Sequence, residues 1–581
     1  MGLCCSERDE ARSLQPGHEN GIMKDSIRSD IEKFGLYQTV MLVFICIPLI
    51  LPGMFTLSYV FTASEIKYRL EDNQSSKIHR CLVPECENPE NTTFEPPWIN
   101  ISAPKINGKI SECTRYAVRD NHFGTCSKTS FTNVTRECGS WVYDPYEHTI
   151  LDEWDLTCDD NRWKLTLVGT IQSVGQFIGL IFAGYISDRY GRRTFLTLTT
   201  SLAGVSGLIH SFSVNYWMFL AFEFLDAIMA SGIYSAGFIL GVEMIEVKNR
   251  VFASSVICCM FTTGEILLGL IASWLRSWRM LLRVVYAPGL LTIFLPLLIP
   301  ESVRWLLSKG KTDKVEKIYR KMARMNNLPE TEEAINIFKE LNVATNETKS
   351  ELSTLDKKKP IVQVFHSPVI LIRLFIWSFC WITNTFVFYG LSLNSVAFAG
   401  DKYINFILVV VVEIPAFGLA WLLTDRIGRK PTLSSTFLLS GLFCLAIQFI
   451  PKGTWSYAPL LLYMAGKLCI TIAFATTYIY TAELFPTTLR HSLLGFCSMV
   501  GRIGSILAPQ TPLLAQIMPS LPVILFGSMG MIAGMLSLIF PETLGTKLPD
   551  TIWEAENIGR LKSNETRKIP DLKKDTKTRQ V

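Results

Sequence analysis

Among the ionisable residues inside long apolar runs are Asp226, Glu265, Glu413, Lys467 and Arg502, each near the middle of its run. Charge at that depth in a bilayer is costly, so such residues are functional candidates by default. Arg502 lies 12 residues beyond Arg490, which places it about 18 Å along a helix, near the middle of a ~30 Å hydrocarbon core. Asp226, Glu413 and Lys467 come out at similar depth, and Glu265 somewhat nearer the outside. The Arg502 guanidinium can fork onto a carboxylate; the alternative is an internal ion pair holding its helix to a neighbour. Glu413 and Lys467 read as partners of each other, because removing either would strand a buried charge. Asp226 and Glu265 remain as carboxylates able to hold an ammonium group. The alternative for them is helix–helix hydrogen bonding with one carboxyl protonated. Trp381, Phe386 and Tyr389 offer ring faces on which an onium group packs, against the plain alternative of helix packing. Gln172 and Asn394 add hydrogen-bonding capacity.

These residues need helices that cross a membrane. Hydrophobic residues make up 49 % of the 581, and charged ones only 18 %, below the quarter or so typical of soluble domains. Apolar runs near the 20 or so residues a span requires fall near 38–62, 165–186, 194–212, 216–241, 252–274 and 281–299. They resume near 369–390, 403–424, 432–450, 456–480, 492–515 and 520–541. The expected fold is all-α, with 12 membrane helices in two six-helix bundles, 38–300 and 369–541. Residues 1–37 and 542–581 read as tails, and 301–368 as a charged linker of short amphipathic helices with a lysine run at Lys357 to Lys359.

Six of the 15 cysteines (Cys81, Cys86, Cys113, Cys126, Cys138, Cys158) crowd the polar segment 64–162. An even, dense set in a polar stretch reads as a disulfide framework in oxidising space. The CxxC pairs of structural zinc sites are absent, and no metal is expected. Asn73, Asn91, Asn100 and Asn133 begin glycosylation sequons in the same segment; two more, at Asn346 and Asn564, fall where cytoplasm is expected. Segment 64–162 is therefore expected to be an extracellular loop. Basic residues in short loops put both termini in the cytoplasm. Arg276, Arg279 and Arg283 are the exception, falling on the outer side.

The two halves share a motif. Ser187-Asp188-Arg189-Tyr190-Gly191-Arg192-Arg193 follows the second run and Thr424-Asp425-Arg426-Ile427-Gly428-Arg429-Lys430 the eighth. Equivalent places in two six-span halves point to an internal duplication. A tight glycine turn with an Asp/Arg relay suits a cytoplasmic gate with two arrangements. A plain positive-inside anchor would need the basic residues alone.

The Gly184…Asp188-Arg189…Gly191-Arg192-Arg193 pattern resembles the major facilitator signature. Further stretches resemble its organic cation, carnitine and organic anion transporters: Glu153-Trp154-Asp155-Leu156-x-Cys158, Trp278-Arg279-Met280-Leu281-Leu282, Pro300-Glu301-Ser302-Val303-Arg304, Tyr480-Thr481-Ala482-Glu483-Leu484-Phe485-Pro486 and Pro541-Glu542-Thr543-Leu544-Gly545. Phe388 to Asn394, Val412 to Ala416 and Gly466-Lys467 look nearest the carnitine-type subgroup. The resemblance covers about Phe34 to Glu556. It implies alternating access, with gating by Gly184, Asp188, Arg189, Gly191, Arg192, Asp425, Arg426, Gly428, Arg429, Glu301, Arg304, Glu483, Arg490 and Glu542. Tyr234 matches a substrate-pocket position, and Arg502 stands where carnitine and anion carriers tend to have Arg and cation carriers Asp. A carboxylate-bearing zwitterion is thereby implied, with a pure cation or anion, or a non-transporting receptor, as alternatives. Glu223 and Asp226 depart from the family's usual Arg and Gly. Pro52 and Tyr185 stand where sodium-coupled members carry amides, which favours facilitated diffusion or exchange.

Nothing resembles an enzyme: GxxxxGK[ST], HExxH and GxSxG are missing, and no cofactor is expected. The net charge of +5 is spread over tails and loops and does not indicate nucleic acid. The expected partners are a small organic ion and the lipid bilayer, in the plasma membrane, with one chain sufficient. Met1-Gly2-Leu3-Cys4-Cys5-Ser6 fits an acylation pattern at Gly2, Cys4 and Cys5, against the alternative of chance.

Overall fold

The computed structural model describes residues 35–64, 79–87, 98–106, 109–111, 113–119, 126–127, 129–143, 146–245, 249–327, 367–398, 400–451, 457–486, 489–546, 549 and 552–558. Gly2, Cys4, Cys5, Asn73, Asn91, Asn346, Asn564 and Lys357 to Lys359 lie outside them.

Among the described residues, ten helices are long and apolar enough to cross a membrane. They are α1 (Leu36–Thr62), α2 (Asp160–Tyr190), α4 (Tyr216–Glu243), α5 (Phe252–Leu275), α6 (Trp278–Leu298), α7 (Pro368–Ala397), α8 (Lys402–Arg426), α9 (Arg429–Phe449), α10 (Ala458–Leu484) and α11 (Ser492–Ile517). Two more complete the bundles: α3 (Arg192–His210), which opens on two arginines, and the shorter apolar α12 (Leu521–Ser537). Polar side chains satisfy the first turns of several. Asn215 accepts the N–H of Met218 at 2.8 Å, Ser367 that of Ile370 at 3.2 Å, and Asp401 that of Tyr403 at 2.8 Å.

Within a membrane, helices gain little from hydrophobicity and associate through close packing of small residues. A Cβ on Gly53 of α1 would lie 2.2 Å from the Phe261 carbonyl of α5, and one on Gly264 would lie 2.0 Å from the Ile50 carbonyl. Gly204 of α3 faces Gly289 of α6; Gly441 of α9 faces Gly530 of α12. The same pair of helices in each half is thus joined by glycine against glycine.

The segment between α1 and α2 folds on three disulfides: Cys81–Cys138, Cys86–Cys126 and Cys113–Cys158, with Cα separations of 5.4, 5.5 and 5.8 Å. Strand Thr114–Val118 pairs antiparallel with Phe131–Glu137, and His79–Cys81 with Trp141–Tyr143. Asn100 and Asn133 are exposed. The segment docks through Glu153, which accepts the Trp278 indole N–H at 2.8 Å and pairs with Arg279. Arg279 also donates to the carbonyls of Ser211 at 2.8 Å and Ser213 at 2.6 Å, and Arg283 to the Ser211 hydroxyl at 3.3 Å. Of the three arginines that break the charge rule along the sequence, Arg279 pins this segment to the end of α3, Arg283 ties α6 to that same end, and the Arg276 side chain caps the Ser273 carbonyl at 3.3 Å. At the opposite end, helix Thr312–Met325 lies on the first bundle, where Asn326 accepts the Tyr37 N–H at 2.9 Å. Helix Ile552–Glu556 lies on the second, where Arg373 donates to the Ala555 and Glu556 carbonyls.

Candidate substrate site and gates

The bundles meet along α2–α11 and α5–α8. At the end nearest the disulfide segment, Gln510 donates to Thr170 at 2.5 Å, and a Cβ on Gly169 would come 2.8 Å from Pro509. Lys402 donates to Ser64 at 3.0 Å and pairs with Glu147, whose carboxylate also accepts the Tyr403 hydroxyl at 2.9 Å. Phe61 packs on Phe406 with centroids 5.1 Å apart. The joining bonds continue to mid-depth with Ser173 to the Ser505 carbonyl at 3.0 Å and Thr262 to Glu413 at 3.1 Å. Toward the motif end the helices part: a Cβ on Gly184 of α2 or Gly495 of α11 would meet nothing within 4 Å.

Just beyond this seal lies a set of partly exposed groups at mid-depth: Tyr234 on α4, Tyr389 on α7, Tyr478 on α10 and Arg502 on α11. Arg502 is three residues before Ser505, about 4.5 Å toward the motif end. It lies in electrostatic reach of both Tyr389 and Tyr478, and Tyr234 in reach of the same two tyrosines from the first bundle. Among the described residues the Arg502 side chain has no hydrogen bond or ion pair. Tyr234 meets Phe261 edge to face at 5.3 Å, and its hydroxyl contacts Cys258 at 3.4 Å. The arrangement offers one guanidinium and three aromatic faces to a small ion.

Other expected contacts sit apart from this cleft. Asp226 is 2 % exposed and accepts the Tyr286 hydroxyl from α6. It is held inside the first bundle beside Glu223, which faces His210 at 3.6 Å. The helix–helix hydrogen bond expected as the alternative for Asp226 is present through Oδ2, while Oδ1 has no hydrogen-bond partner among the described residues. Gln172 donates to the Phe55 and Thr56 carbonyls at 3.2 and 2.9 Å. Trp381 donates to Thr481 at 3.2 Å and lies edge-on to Tyr478 at 4.6 Å, which makes it a support for the cleft rather than its lining. Asn394 bonds Gly390 and Thr511, both at 2.8 Å, tying α7 to α11. Phe386 is buried against Phe526. Lys467 and Glu413 stand 2.8 Å apart and fully buried. Glu265 is 0 % exposed, near both, with neither carboxylate oxygen hydrogen-bonded among the described residues.

The repeated motif makes the same construction twice. Gly191 has φ +107° and Gly428 φ +115°, conformations open in practice only to glycine. Glu301, after α6, accepts the Arg193 N–H at 2.9 Å at the start of α3; Glu542, after α12, accepts those of Arg429 at 3.0 Å and Lys430 at 3.1 Å at the start of α9. A carboxylate at a helix N-terminus satisfies free N–H groups and meets the positive end of the dipole. Arg192 bridges Asp188 at 2.8 Å and Glu243 at 3.7 Å; Arg429 bridges Glu483 at 3.1 Å and Asp425 at 3.6 Å. Ser302 then donates to Glu243, and Thr543 to Glu483. Glu243 was missed along the sequence, although Gly241-Val242-Glu243-Met244 ends α4 as Thr481-Ala482-Glu483-Leu484 ends α10. Arg189 reaches Tyr185 at 3.0 Å. Arg304 and Arg426 are exposed, and Arg490 is buried at 7 % exposure. The named pairs all lie within one bundle.

Two six-helix halves, glycine-joined at matching helices and carrying the duplicated carboxylate-capped turn, define a major facilitator transporter. A family described as "Sugar (and other) transporter" matches residues 124–553. The fold resembles the partially occluded inward open xylose transporter XylE of E. coli, with TM-score 0.58 and 16 % identity over 87 % of this chain and 98 % of that one. Over 91 % of its length the chain is 34 % identical to the organic cation/carnitine transporter 2 of Rattus norvegicus, covering 93 % of it. It is 32 % identical to solute carrier family 22 member 21 of Mus musculus and 30 % to the organic cation transporter protein of Drosophila melanogaster, covering 95 % of each. The chain belongs to the solute carrier 22 family of organic ion transporters; it is an integral membrane transporter and not an enzyme.

Proposed function

We propose that this chain carries small carboxylate-bearing zwitterions, such as carnitine or amino-acid-like compounds, across the plasma membrane by alternating access. The observation that carries the reading is Arg502. A guanidinium at mid-depth without a protein carboxylate among the described residues, facing Tyr389 and Tyr478, is suited to bind the carboxylate of a ligand. Tyr234 and Tyr389 then face the onium end. The motif end is the cytoplasmic face, with both termini there. Residues 38–300 and 369–541 are the rocking units, and one chain suffices. The duplicated Glu-capped turns stiffen each unit and close against one another when the cytoplasmic side shuts.

Uptake of carnitine, β-alanine, tetraethylammonium and an aromatic anion, with and without sodium, tests this in cells expressing the chain or Arg502→Ala at equal surface level. Zwitterion uptake independent of sodium, and lost in the variant, is expected. Tetraethylammonium uptake indifferent to Arg502→Ala, with no zwitterion uptake, would establish a cation carrier instead.

A further inference from the structure

The charges at the α5–α8–α10 junction do not balance. Lys467 uses its three ammonium protons on Glu413 at 2.8 Å, the Phe388 carbonyl at 3.0 Å and the Ser392 hydroxyl at 2.8 Å. Glu413 takes a further bond from Thr262 of α5 at 3.1 Å. One turn along α5, Glu265 is fully buried, and both of its oxygens are without a donor among the described residues. Its electrostatic neighbours are Glu413 and Lys467. Tyr389 of α7 is in reach of Glu265 on one side and of Arg502 on the other. Tyr234 of α4 approaches α5 at Cys258, and α1 presents Gly53, whose Cβ would sit 3.2 Å from the Glu265 nitrogen. An ionised carboxylate in such a place costs far more than folding can supply. Some positive charge must occupy Glu265 whenever the outer side is closed.

We infer that Glu265 is a seat shared in turn by a proton and the cationic nitrogen of the substrate, so that transport exchanges one for the other. The inference rests on the proposed reading only in needing a substrate with a cationic nitrogen. In the closed-outside, substrate-free arrangement Glu265 is a neutral carboxylic acid. When α8 parts from α1 and α5 at Phe61, Phe406 and Gly269, water reaches it, and its O–H proton leaves to the outside. The substrate cation neutralises the carboxylate, the outer side closes, and the substrate leaves through the Tyr389–Arg502 cleft. A cytoplasmic proton then returns to the carboxylate. The Glu265 carboxylate is neutralised at every closed stage, and each inward substrate is matched by one outward proton.

The test uses proteoliposomes of the full chain with the membrane potential clamped, and tetraethylammonium and carnitine as probes. An acid interior is expected to raise initial uptake several-fold in the wild type. Adding probe outside is expected to bring protons out at one per molecule. Glu265→Gln, a permanent mimic of the neutral acid, is expected to lose the gradient response while Glu265→Asp keeps it. Wild-type uptake of both probes that ignores the pH gradient overturns the inference, as does a full gradient response in Glu265→Gln. Should Glu265→Gln fail to fold, the wild-type proton stoichiometry and Glu265→Asp still decide. Carnitine uptake unaffected by Arg502→Ala overturns the carboxylate reading alone, because the tetraethylammonium arm reports on Glu265 independently.

Discussion

The carboxylate of Glu542 accepts the backbone N–H of Arg429 at 3.0 Å directly under Gly428, where a Cβ would lie 2.7 Å from the same carboxylate. Glu301 stands to Gly191 in the same way, with the Cβ 2.3 Å away. Gly428→Ala combines a forbidden φ with a displaced helix cap. It is expected to cost about 1–3 kcal/mol, read as a lower melting temperature in detergent and reduced surface level. Gly184→Ala, where the added methyl meets open space, is the control. Equal melting of Gly428→Ala and wild type would contradict the capping account.

Lys467 and Glu413 form a buried pair 2.8 Å apart, with Phe388 beneath the ammonium at 3.3 Å. Removing one partner leaves the other charge without compensation, at a cost of about 3–5 kcal/mol. Lys467→Met and Glu413→Gln alone are expected to abolish surface expression. The double variant is expected to recover much of it. A double variant as damaged as either single would show that the two residues act separately.

Arg502→Lys keeps the charge and loses the planar fork. Losing one charge-assisted hydrogen bond is worth about 1.5–3 kcal/mol, so the apparent KM for carnitine is expected to rise about 10- to 100-fold with surface level unchanged. Tetraethylammonium transport should move little. A KM equal to wild type would mean that the carboxylate binds elsewhere.

Glu147 holds Lys402 and Tyr403 across the disulfide-bearing end and so ties the segment after α1 to the second bundle. Glu147→Ala removes both contacts and is expected to shift the population toward the form open at that end. Spin-label distances between cysteines placed at exposed loop-end sites on α2 and α11 would lengthen. Distances unchanged from wild type would show that the α2–α11 contacts alone hold this end shut.

The span count, the six-plus-six division and the duplicated glycine turn were legible because hydropathy and motif spacing are properties of consecutive residues. Arg502 stood out for the same reason: an arginine deep in an apolar run is conspicuous wherever its helix packs. Asp226 was equally conspicuous, but the residue that bonds its Oδ2 was not. Its partner Tyr286 is 60 residues away on α6, and nothing along the chain says that the two helices turn those faces together. Glu243 was passed over because its neighbours lack the Phe-Pro that marks Glu483, although both carboxylates grip the arginine of their own repeat.

The sequence alone determined the membrane class, the family, the six loop cysteines and the residues rich enough in charge to matter. The tertiary structure decided which cysteines pair, why Arg279 tolerates its side of the membrane, and that Lys467 spends its donors on Glu413 and leaves Glu265 with none. The physical reason is rotation. Burial depth follows from position along a helix, but a partner is chosen by the angle at which that helix meets its neighbours, and the glycine contacts between distant segments set that angle.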